Sequence, residues 1–370
     1  SISGIRGTIG GVPDENLTPI DAVKFAAAYG TWLKETLNKA NIKVVVGRDA
    51  RISGEMIQNL VQYTLVGLGI NVVDIGLSTT PTVEVAVTME KADGGIILTA
   101  SHNPKQWNAL KLLNNKGEFL SAKEGERILT IAQENKVVFA DVEALGSISH
   151  DNTYIQKHIE AVLGLLTSST IEAIRNCKFK VVVDAVNSTG GIAIPKLLER
   201  FGVEVVRLYC EPNGHFPHNP EPLKEHLGDI CKKVLEEKAD FGIVVDPDVD
   251  RLAFITEEGE MFGEEYTLVA CADYILGKTK GNVVSNLSSS RALRDIAEKY
   301  GVHYAAGAVG EVNVVAKMKE VHAIIGGEGN GGIIYPELHY GRDALVGVAL
   351  FLSLLAERKY SVKTLRNSYP

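Results

Sequence analysis

Short apolar runs recur three times along the chain, each ended by polar residues and followed by a helical pattern and a glycine. The runs lie at 44–46, 181–183 and 283–284, and the glycines that begin the next strand lie at 69, 202 and 301. Apolar strands that alternate with helices are typical of parallel or mixed sheets with helices on both faces. The pattern therefore predicts an α/β fold of three tandem domains, each with a mixed or parallel sheet between helices.

Two polar stretches interrupt this pattern and suggest where the domains divide. One lies at Ser147–His150 and the other within 251–262, where Glu257–Glu260 resembles a hairpin turn. A chain of 370 residues is also too long for one hydrophobic core of ordinary size. We therefore expect domains at 1–148, 149–250 and 251–370.

Two helix starts are readable. Thr18 is followed by Pro19 and Asp21, and Ser121 is followed three residues later by Glu124. An N-cap hydroxyl with an acid at the third helical position forms a capping box. Helices are expected to begin directly after Thr18 and after Ser121.

The composition of the chain limits the partners and the location that we expect. The formal net charge is −8, which leaves no basic field for nucleic acid. The longest apolar stretch, Ala344–Ala356, is shorter than the ~20 residues of a membrane helix and is expected to be a buried helix. The four scattered cysteines and the absence of a leader pattern favour the cytoplasm, with no membrane and no nucleic acid among the partners.

Ser101 follows the apolar strand pattern of 93–100 directly. This position predicts a serine hydroxyl on an exposed turn at a strand end, where it could act as a nucleophile. His102 and Lys111 lie near enough in sequence to stabilise charge or move a proton. The alternative is an ordinary loop, because Ser, His, Asn and Pro all favour turns.

Three carboxylates, Asp246, Asp248 and Asp250, alternate after the apolar strand Phe241–Val245, and Arg251 follows at once. If the strand conformation continued through this segment, all three carboxylates would point the same way and could bind a hard cation such as Mg²⁺. The guanidinium of Arg251 could bind phosphate oxygens. Together with Ser101, this indicates phosphoryl transfer through a serine. The alternatives are a solvated acidic turn, or a phosphatase of the haloacid dehalogenase type with Asp246 as nucleophile.

A glycine-rich loop at 326–332 would let backbone approach a ligand closely. Glu328 and Asn330 lie on alternate positions and could bind paired sugar hydroxyls; the alternative is a flexible turn. The loop lacks the Walker and dinucleotide patterns, which disfavours NTP and NAD. Arg6 and Arg48 stand beside glycines, where each could reach a phosphate or form a surface ion pair of little energetic value.

The motifs SGIRG (3–7), TASHNP (99–104), DPDVDR (246–251) and GEGNGG (327–332), in this order, resemble the α-D-phosphohexomutases over nearly the whole chain. The resemblance implies that Ser101 carries the phosphate, that Asp246, Asp248 and Asp250 hold Mg²⁺ against it, and that Ser101 is itself one of the metal ligands. Further residues match positions of the family's site: Lys111 as an acid–base candidate, Arg6, His102 and Arg251 lining it, and Glu328 and Asn330 in the sugar loop. Phosphate would pass from phosphoserine to a hexose monophosphate and return from the other position, with hexose 1,6-bisphosphate as activator.

The sequence differs from the common family pattern in two respects: the residues that bear on the choice of substrate, and the absence of a recognised fourth domain. Asn330 and Gly332 replace a serine and a histidine of the sugar loop, and Glu311 is acidic as in phosphoglucosamine mutases, whereas Thr99 is typical of the glucose and mannose enzymes. We expect a glucosamine phosphate in preference to mannose or glucose phosphate, and a monomer or homodimer. The family's fourth, phosphate-gripping domain is not recognised before Pro370, so a non-catalytic sugar-phosphate-binding module is a further alternative.

Overall fold

The computed structural model of the chain describes residues 4–370, whose strands form three sheets of six, four and four strands. Each sheet mixes parallel and antiparallel pairs and has helices packed on it. The predicted fold class is confirmed. Within residues 4–370, every helix is too short or too polar to cross a bilayer.

The first sheet has the order β1-β5-β4-β2-β3-β6. Its strands are β1 (Ile5–Thr8), β2 (Lys43–Arg48), β3 (Asn71–Leu77), β4 (Gly94–Leu98), β5 (Trp107–Leu113) and β6 (Ile148–His150). Its helices are α1 (Pro19–Leu37), α2 (Gly54–Gly67), α3 (Thr80–Met89) and α4 (Ala122–Glu134). β2, β3, β4 and β6 run parallel, and β5 is antiparallel to both β4 and β1. The parallel strands therefore end at one edge, and β4 ends there just before Ser101.

The second sheet has the order β10-β9-β7-β8, with only β10 antiparallel to its neighbour. Its elements are α5 (Tyr154–Gly164), α6 (Ser168–Cys177), β7 (Lys180–Asp184), α7 (Gly190–Arg200), β8 (Glu204–Leu208), α8 (Gly228–Glu237), β9 (Phe241–Val245) and β10 (Leu252–Thr256). β9 and β10 are buried at every position. They flank the turn that carries the three aspartates.

The third sheet has the order β12-β11-β13-β14, with β14 antiparallel to β13. Its elements are α9 (Glu264–Lys278), β11 (Asn282–Asn286), α10 (Ala292–Tyr300), β12 (Tyr304–Gly307), α11 (Glu311–Glu320), β13 (Ala323–Glu328), β14 (Gly332–Ile334), α12 (Ala344–Arg358) and α13 (Val362–Asn367). α12 is buried from Ala344 to Ala356, as the apolar stretch predicts.

The chain forms two compact units. The first contains the residues up to 155 together with 213–215, and the second contains 156–212 and 216–370. The first unit holds the six-stranded sheet, and the second holds both four-stranded sheets.

Strand pairing bears on the domain division. β6 pairs with β3 of the first sheet, and β10 pairs with β9 of the second. A division after 148 would cut through β6, and a division after 250 would separate β10 from the sheet that it completes. We therefore propose boundaries slightly later, after His150 and after Thr256.

Both predicted capping boxes are present. The Thr18 and Ser121 hydroxyls accept from the backbone N–H groups of Asp21 and Glu124, and the carboxylates of these acids accept in return from the cap N–H at 2.9 and 2.7 Å. Two of the otherwise unpaired N–H groups at each helix start are thereby satisfied. The two predicted helix starts are confirmed.

Candidate functional site

Ser101 lies in a tight turn, three residues after β4 ends at Leu98. Its φ of 50° is in the left-handed region, and its backbone N–H donates to Thr99 Oγ1 at 2.9 Å. Its hydroxyl oxygen lies 3.5 Å from Nδ1 of His102. The residue is only 3% exposed, whereas the sequence predicted an exposed turn, because the turn folds back onto a buried arginine.

That arginine is Arg51, whose side chain is completely buried. Its guanidinium donates to the backbone oxygens of Ser101 (2.5 Å), Asn103 (2.7 Å), Pro104 (2.7 Å) and Trp107 (3.0 Å). Asp49 completes the arrangement: one carboxylate oxygen accepts from Arg51 Nε at 3.0 Å and from Thr99 Oγ1 at 2.6 Å. The shape of the serine loop therefore depends on a charged pair that the sequence analysis did not select, since its partners lie about fifty residues away.

Strand register relates the positions of Arg6 and Lys111. Arg6 on β1 lies opposite Ala109 on β5, and Lys111 follows two residues later on the same strand. Opposite residues and alternate residues share a face, so Arg6 and Lys111 lie on the same face of the sheet. Lys111 is 2% exposed, and its Nζ lies 5.6 Å from the ring centre of Phe119.

Arg48 ends β2 at the same edge of the first sheet. Its Nε donates to Gln58 Oε1 at 2.8 Å, and Gln58 in turn donates to Asp74 at 2.6 Å. This chain of contacts fixes one side of the guanidinium against α2. A contact between Arg48 and a substrate phosphate stays a prediction.

In the second unit, Asp246, Asp248 and Asp250 are all fully buried, and one carboxylate oxygen of each lies within 4.8 Å of the other two. They converge because of a turn, whereas the sequence argument relied on continuing strand alternation. β9 ends at Val245, Val249 has a φ of 65°, and Asp246 Oδ1 accepts from the N–H groups of Asp250 and Arg251 at 3.1 Å each. The Asp246 side chain thus closes the turn that brings Asp248 and Asp250 beside it.

Neighbouring residues support this turn. The hydroxyls of Ser188 and Thr189 donate to the Pro247 carbonyl at 2.7 and 2.9 Å. Arg251 donates from Nη1 to Glu221 at 3.1 Å, while its buried Nε has no hydrogen-bond partner among the described residues. A contact between Arg251 and a substrate phosphate stays a prediction.

A second buried arginine, Arg342, joins the aspartate turn to the glycine-rich loop. It contacts Asp250 (Nη2 to Oδ2, 2.6 Å), Glu311 (Nε to Oε2, 2.8 Å) and Glu328 (Nη1 to Oε2, 2.9 Å). The other oxygen of Glu328 accepts from Asn286 and from Gly310 N at 3.1 Å each. Sequence reasoning missed Arg342, because no local pattern reveals contacts made at such sequence distances.

Charge and burial shift the protonation of this group. Burial raises the pKa of Glu311, and Asp250 and Glu328 raise it further against the opposing effect of Arg342. For Arg342, burial lowers the pKa, but the three carboxylates outweigh it and hold the pKa well above the usual range. The guanidinium is therefore charged at every physiological pH.

Asn330, the other residue predicted to bind sugar, accepts a hydrogen bond from Gly332 N at 3.2 Å.

The donor set of the aspartate turn fits Mg²⁺. Three buried carboxylates close together repel one another, and hard oxygen donors of this kind are the ligands that Mg²⁺ takes in proteins. Asp246, Asp248 and Asp250 would hold the ion.

His158, His339 and Asp343 form another buried group of potential metal ligands. Asp343 Oδ2 lies 2.8 Å from Nε2 of His158 and 3.0 Å from Nε2 of His339. Asp343 Oδ1 caps α12 by accepting from Leu345 N at 2.8 Å. Burial raises the pKa of Asp343, but the two histidines and their hydrogen bonds outweigh it and hold the pKa far below its usual value. These distances are those of hydrogen bonds, so the group fixes the start of α12.

Comparison with known families gives three consecutive matches. The models of the phosphoglucomutase/phosphomannomutase alpha/beta/alpha domains I, II and III match residues 2–138, 154–259 and 263–370. Together they cover most of the chain.

Individual relatives agree with this result. A phosphoglucomutase/phosphomannomutase of Thermococcus kodakarensis is 35% identical over 96% of this chain and 78% of its own length. A probable phosphoglucosamine mutase of Methanopyrus kandleri is 33% identical over 96% of this chain and 75% of its own. The crystal structure of a putative phosphomannomutase from Thermus thermophilus superposes with a TM-score of 0.88 at 26% identity, over 100% of this chain and 82% of that one.

Proposed function

The chain belongs to the phosphoglucomutase/phosphomannomutase family and is a phosphohexomutase, an intramolecular phosphotransferase that acts on phosphosugars. We propose that it interconverts the 6-phosphate and the 1-phosphate of glucosamine through a phosphorylated Ser101. The observation that carries this proposal is the pair of motifs: a buried serine hydroxyl in an arginine-anchored turn, and three buried carboxylates closed into a second turn.

The proposed cycle uses each unit's own residues. A sugar hydroxyl attacks the phosphorus carried by Ser101, the Oγ–P bond breaks, and a sugar bisphosphate forms; Ser101 Oγ then attacks the other phosphate of that bisphosphate, whose bond to the sugar oxygen breaks. Lys111 and His102 are candidates to take the proton from the attacking hydroxyl and to return it to the departing oxygen. Asp246, Asp248 and Asp250 hold Mg²⁺, which when bound neutralises charge on the transferred group. The remaining proposed contacts are Arg6, Arg48 and Arg251 with phosphate and Glu328 and Asn330 with sugar. A hexose 1,6-bisphosphate would prime Ser101.

The choice of sugar rests on Glu311. This acid lies 2.8 Å from Arg342 in a cluster with Asp250 and Glu328, where carboxylates outnumber guanidinium groups. An excess of negative charge favours a sugar with an ammonium group over one with only hydroxyls. Because the named relatives include both phosphoglucosamine and phosphoglucomutase/phosphomannomutase enzymes, glucose and mannose phosphates are the second candidates.

The first experiment is phosphorus NMR with Mg²⁺ and a trace of hexose 1,6-bisphosphate. Glucosamine 6-phosphate, mannose 6-phosphate and glucose 6-phosphate are offered separately. We expect a growing 1-phosphate signal, largest for glucosamine. Release of free phosphate alone, lost in Asp246→Asn, would establish an aspartate-nucleophile phosphatase instead, and sugar-phosphate binding without conversion would establish a binding module.

Ser101→Ala tests the phosphoserine. We expect turnover to fall below about one part in a thousand while the fold is kept, because one missing oxygen removes the covalent carrier. The matched control is Ser78→Ala, another buried serine of the first unit, whose Oγ has no hydrogen-bond partner among the described residues. Activity retained in Ser101→Ala, with Ser78→Ala equally active, would exclude the phosphoserine.

A further inference from the structure

Arg342 joins three elements of the second unit through one side chain. Asp250 lies in the turn after β9, Glu311 is the first residue of α11, and Glu328 is the last of β13. Each gives one carboxylate oxygen to a different nitrogen of the guanidinium, at 2.6 to 2.9 Å. All three nitrogens are thus used, which the rigid geometry of arginine permits and the single ammonium of lysine does not.

The space for Arg342 comes from the glycine-rich loop. A Cβ added to Gly332 would lie 2.3 Å from Arg342 Cδ, closer than any two such carbons approach. Arg342, Gly332 and Glu311 therefore form one mutually dependent arrangement.

The backbone around Arg342 is held firmly. Asp343, the next residue, caps α12 and accepts from two buried histidines. Ala344 N donates to the carbonyl of Val249, inside the aspartate turn, at 3.2 Å. The guanidinium is thus presented to Asp250 from a fixed position, and loss of its charge would leave the surrounding backbone contacts in place.

The positive charge of Arg342 affects how strongly Asp250 can bind a metal ion. Arg342 occupies Asp250 Oδ2 at 2.6 Å, and its positive charge repels a cation held by the same carboxylate. We propose that Arg342 is a positioning residue that sets the strength of Mg²⁺ binding and holds Glu328 for the sugar. The inference rests on the proposed function, in which Asp250 is a metal ligand and Glu328 a sugar contact.

Calorimetric titration of the whole chain with MgCl₂ tests the charge effect without turnover. In Arg342→Gln we expect Mg²⁺ to bind about tenfold more tightly than in the wild type, because one repelling charge is gone. Glu311→Gln removes a negative charge from the same cluster without touching Asp250, and we expect binding about threefold to tenfold weaker. Arg342→Lys keeps the charge and should remain within about threefold of the wild type.

Measuring KM for the sugar phosphate separates the positioning role of Arg342 from the effect of its charge. Lysine cannot bridge three carboxylates, so both Arg342→Lys and Arg342→Gln should raise KM for the sugar phosphate about tenfold, even though only the second tightens Mg²⁺ binding. The matched control is Arg358→Gln, which breaks another arginine–aspartate pair of the second unit, with Asp273. Its Mg²⁺ affinity should be unchanged.

The outcomes are distinct. A purely structural role for Arg342 would loosen the aspartate turn, so Mg²⁺ binding that is weaker or unchanged in Arg342→Gln overturns the inference while leaving the proposed function intact. If Arg342→Gln does not fold, Glu311→Gln decides, and unchanged or tighter binding there overturns the inference. A wild-type chain that binds no Mg²⁺ overturns the proposed metal site and this inference together.

Discussion

Arg51 shows how one buried side chain can shape the loop that carries Ser101. Its guanidinium holds four backbone oxygens between Ser101 and Trp107, and Asp49 balances its charge. Backbone oxygens buried without a donor are costly, so such a loop keeps its shape only while every contact is present. Arg51 acts on the chemistry through the position of Ser101 and touches no substrate in the proposed cycle.

Replacing Arg51 with methionine should therefore destabilise the first unit by about 3–5 kcal/mol, because Asp49 is left buried without its cation. Urea unfolding followed by tryptophan fluorescence measures this directly, since both tryptophans, Trp32 and Trp107, lie in the first unit. Arg127→Met is the control: its ion pair with Glu35 is about half exposed and should contribute less than about 1 kcal/mol. Equal losses in the two variants would contradict the anchoring role.

At the scale of elements, the loop before α8 is fixed by a histidine with two acceptors. His218 Nε2 lies 2.9 Å from Asp184 Oδ2, and Nδ1 lies 2.8 Å from the Asn219 carbonyl. Only the doubly protonated ring donates to both. Burial lowers the pKa of His218, but Asp184, the Asn219 carbonyl and the more distant Asp229 outweigh it, so the pKa is raised above 6.5.

A raised folded-state pKa means that the stability from this pair is fully present below about pH 6.5 and is lost as pH rises through the folded pKa. The unfolding free energy of the wild type should therefore exceed that of His218→Gln by more at about pH 6 than at about pH 9. Chemical denaturation at both values measures the difference. His303→Gln, an exposed histidine for comparison, should show no such change; a pH-independent gap for His218 would refute the prediction.

Elements were largely predictable from the sequence because their signals are local. The apolar runs gave β2, β7 and β11, and the capping boxes gave the starts of α1 and α4. The candidate residues Ser101 and Asp246 were readable from their place after buried strands. Arg342 was not, since its partners Asp250 and Glu311 lie 92 and 31 residues away and only the folded chain brings them together. The burial of Ser101 was missed for the same reason.

At the scale of the whole molecule, the proposed Mg²⁺ site would link metal binding to stability. Three buried carboxylates within 4.8 Å repel one another, and Arg342 offsets this repulsion only at Asp250, so the folded chain without Mg²⁺ carries a cost that the unfolded chain does not. A ligand that binds only the folded state stabilises it by about 2.7 kcal/mol at a hundred times its Kd. The same three residues should therefore destabilise the protein without Mg²⁺ and stabilise it with Mg²⁺.

Asp248→Asn separates these two effects. Without Mg²⁺ we expect its Tm to exceed that of the wild type by a few degrees, because one of three like charges is gone; with saturating Mg²⁺ the wild type should gain stability and the variant should gain little. Differential scanning calorimetry across a MgCl₂ series gives both values, and Asp141→Asn, an exposed aspartate, should follow the wild type throughout. A Tm of Asp248→Asn that rises with MgCl₂ as steeply as the wild type's would show that the stabilising ion binds elsewhere, since a cluster that has lost one ligand cannot hold Mg²⁺ equally well.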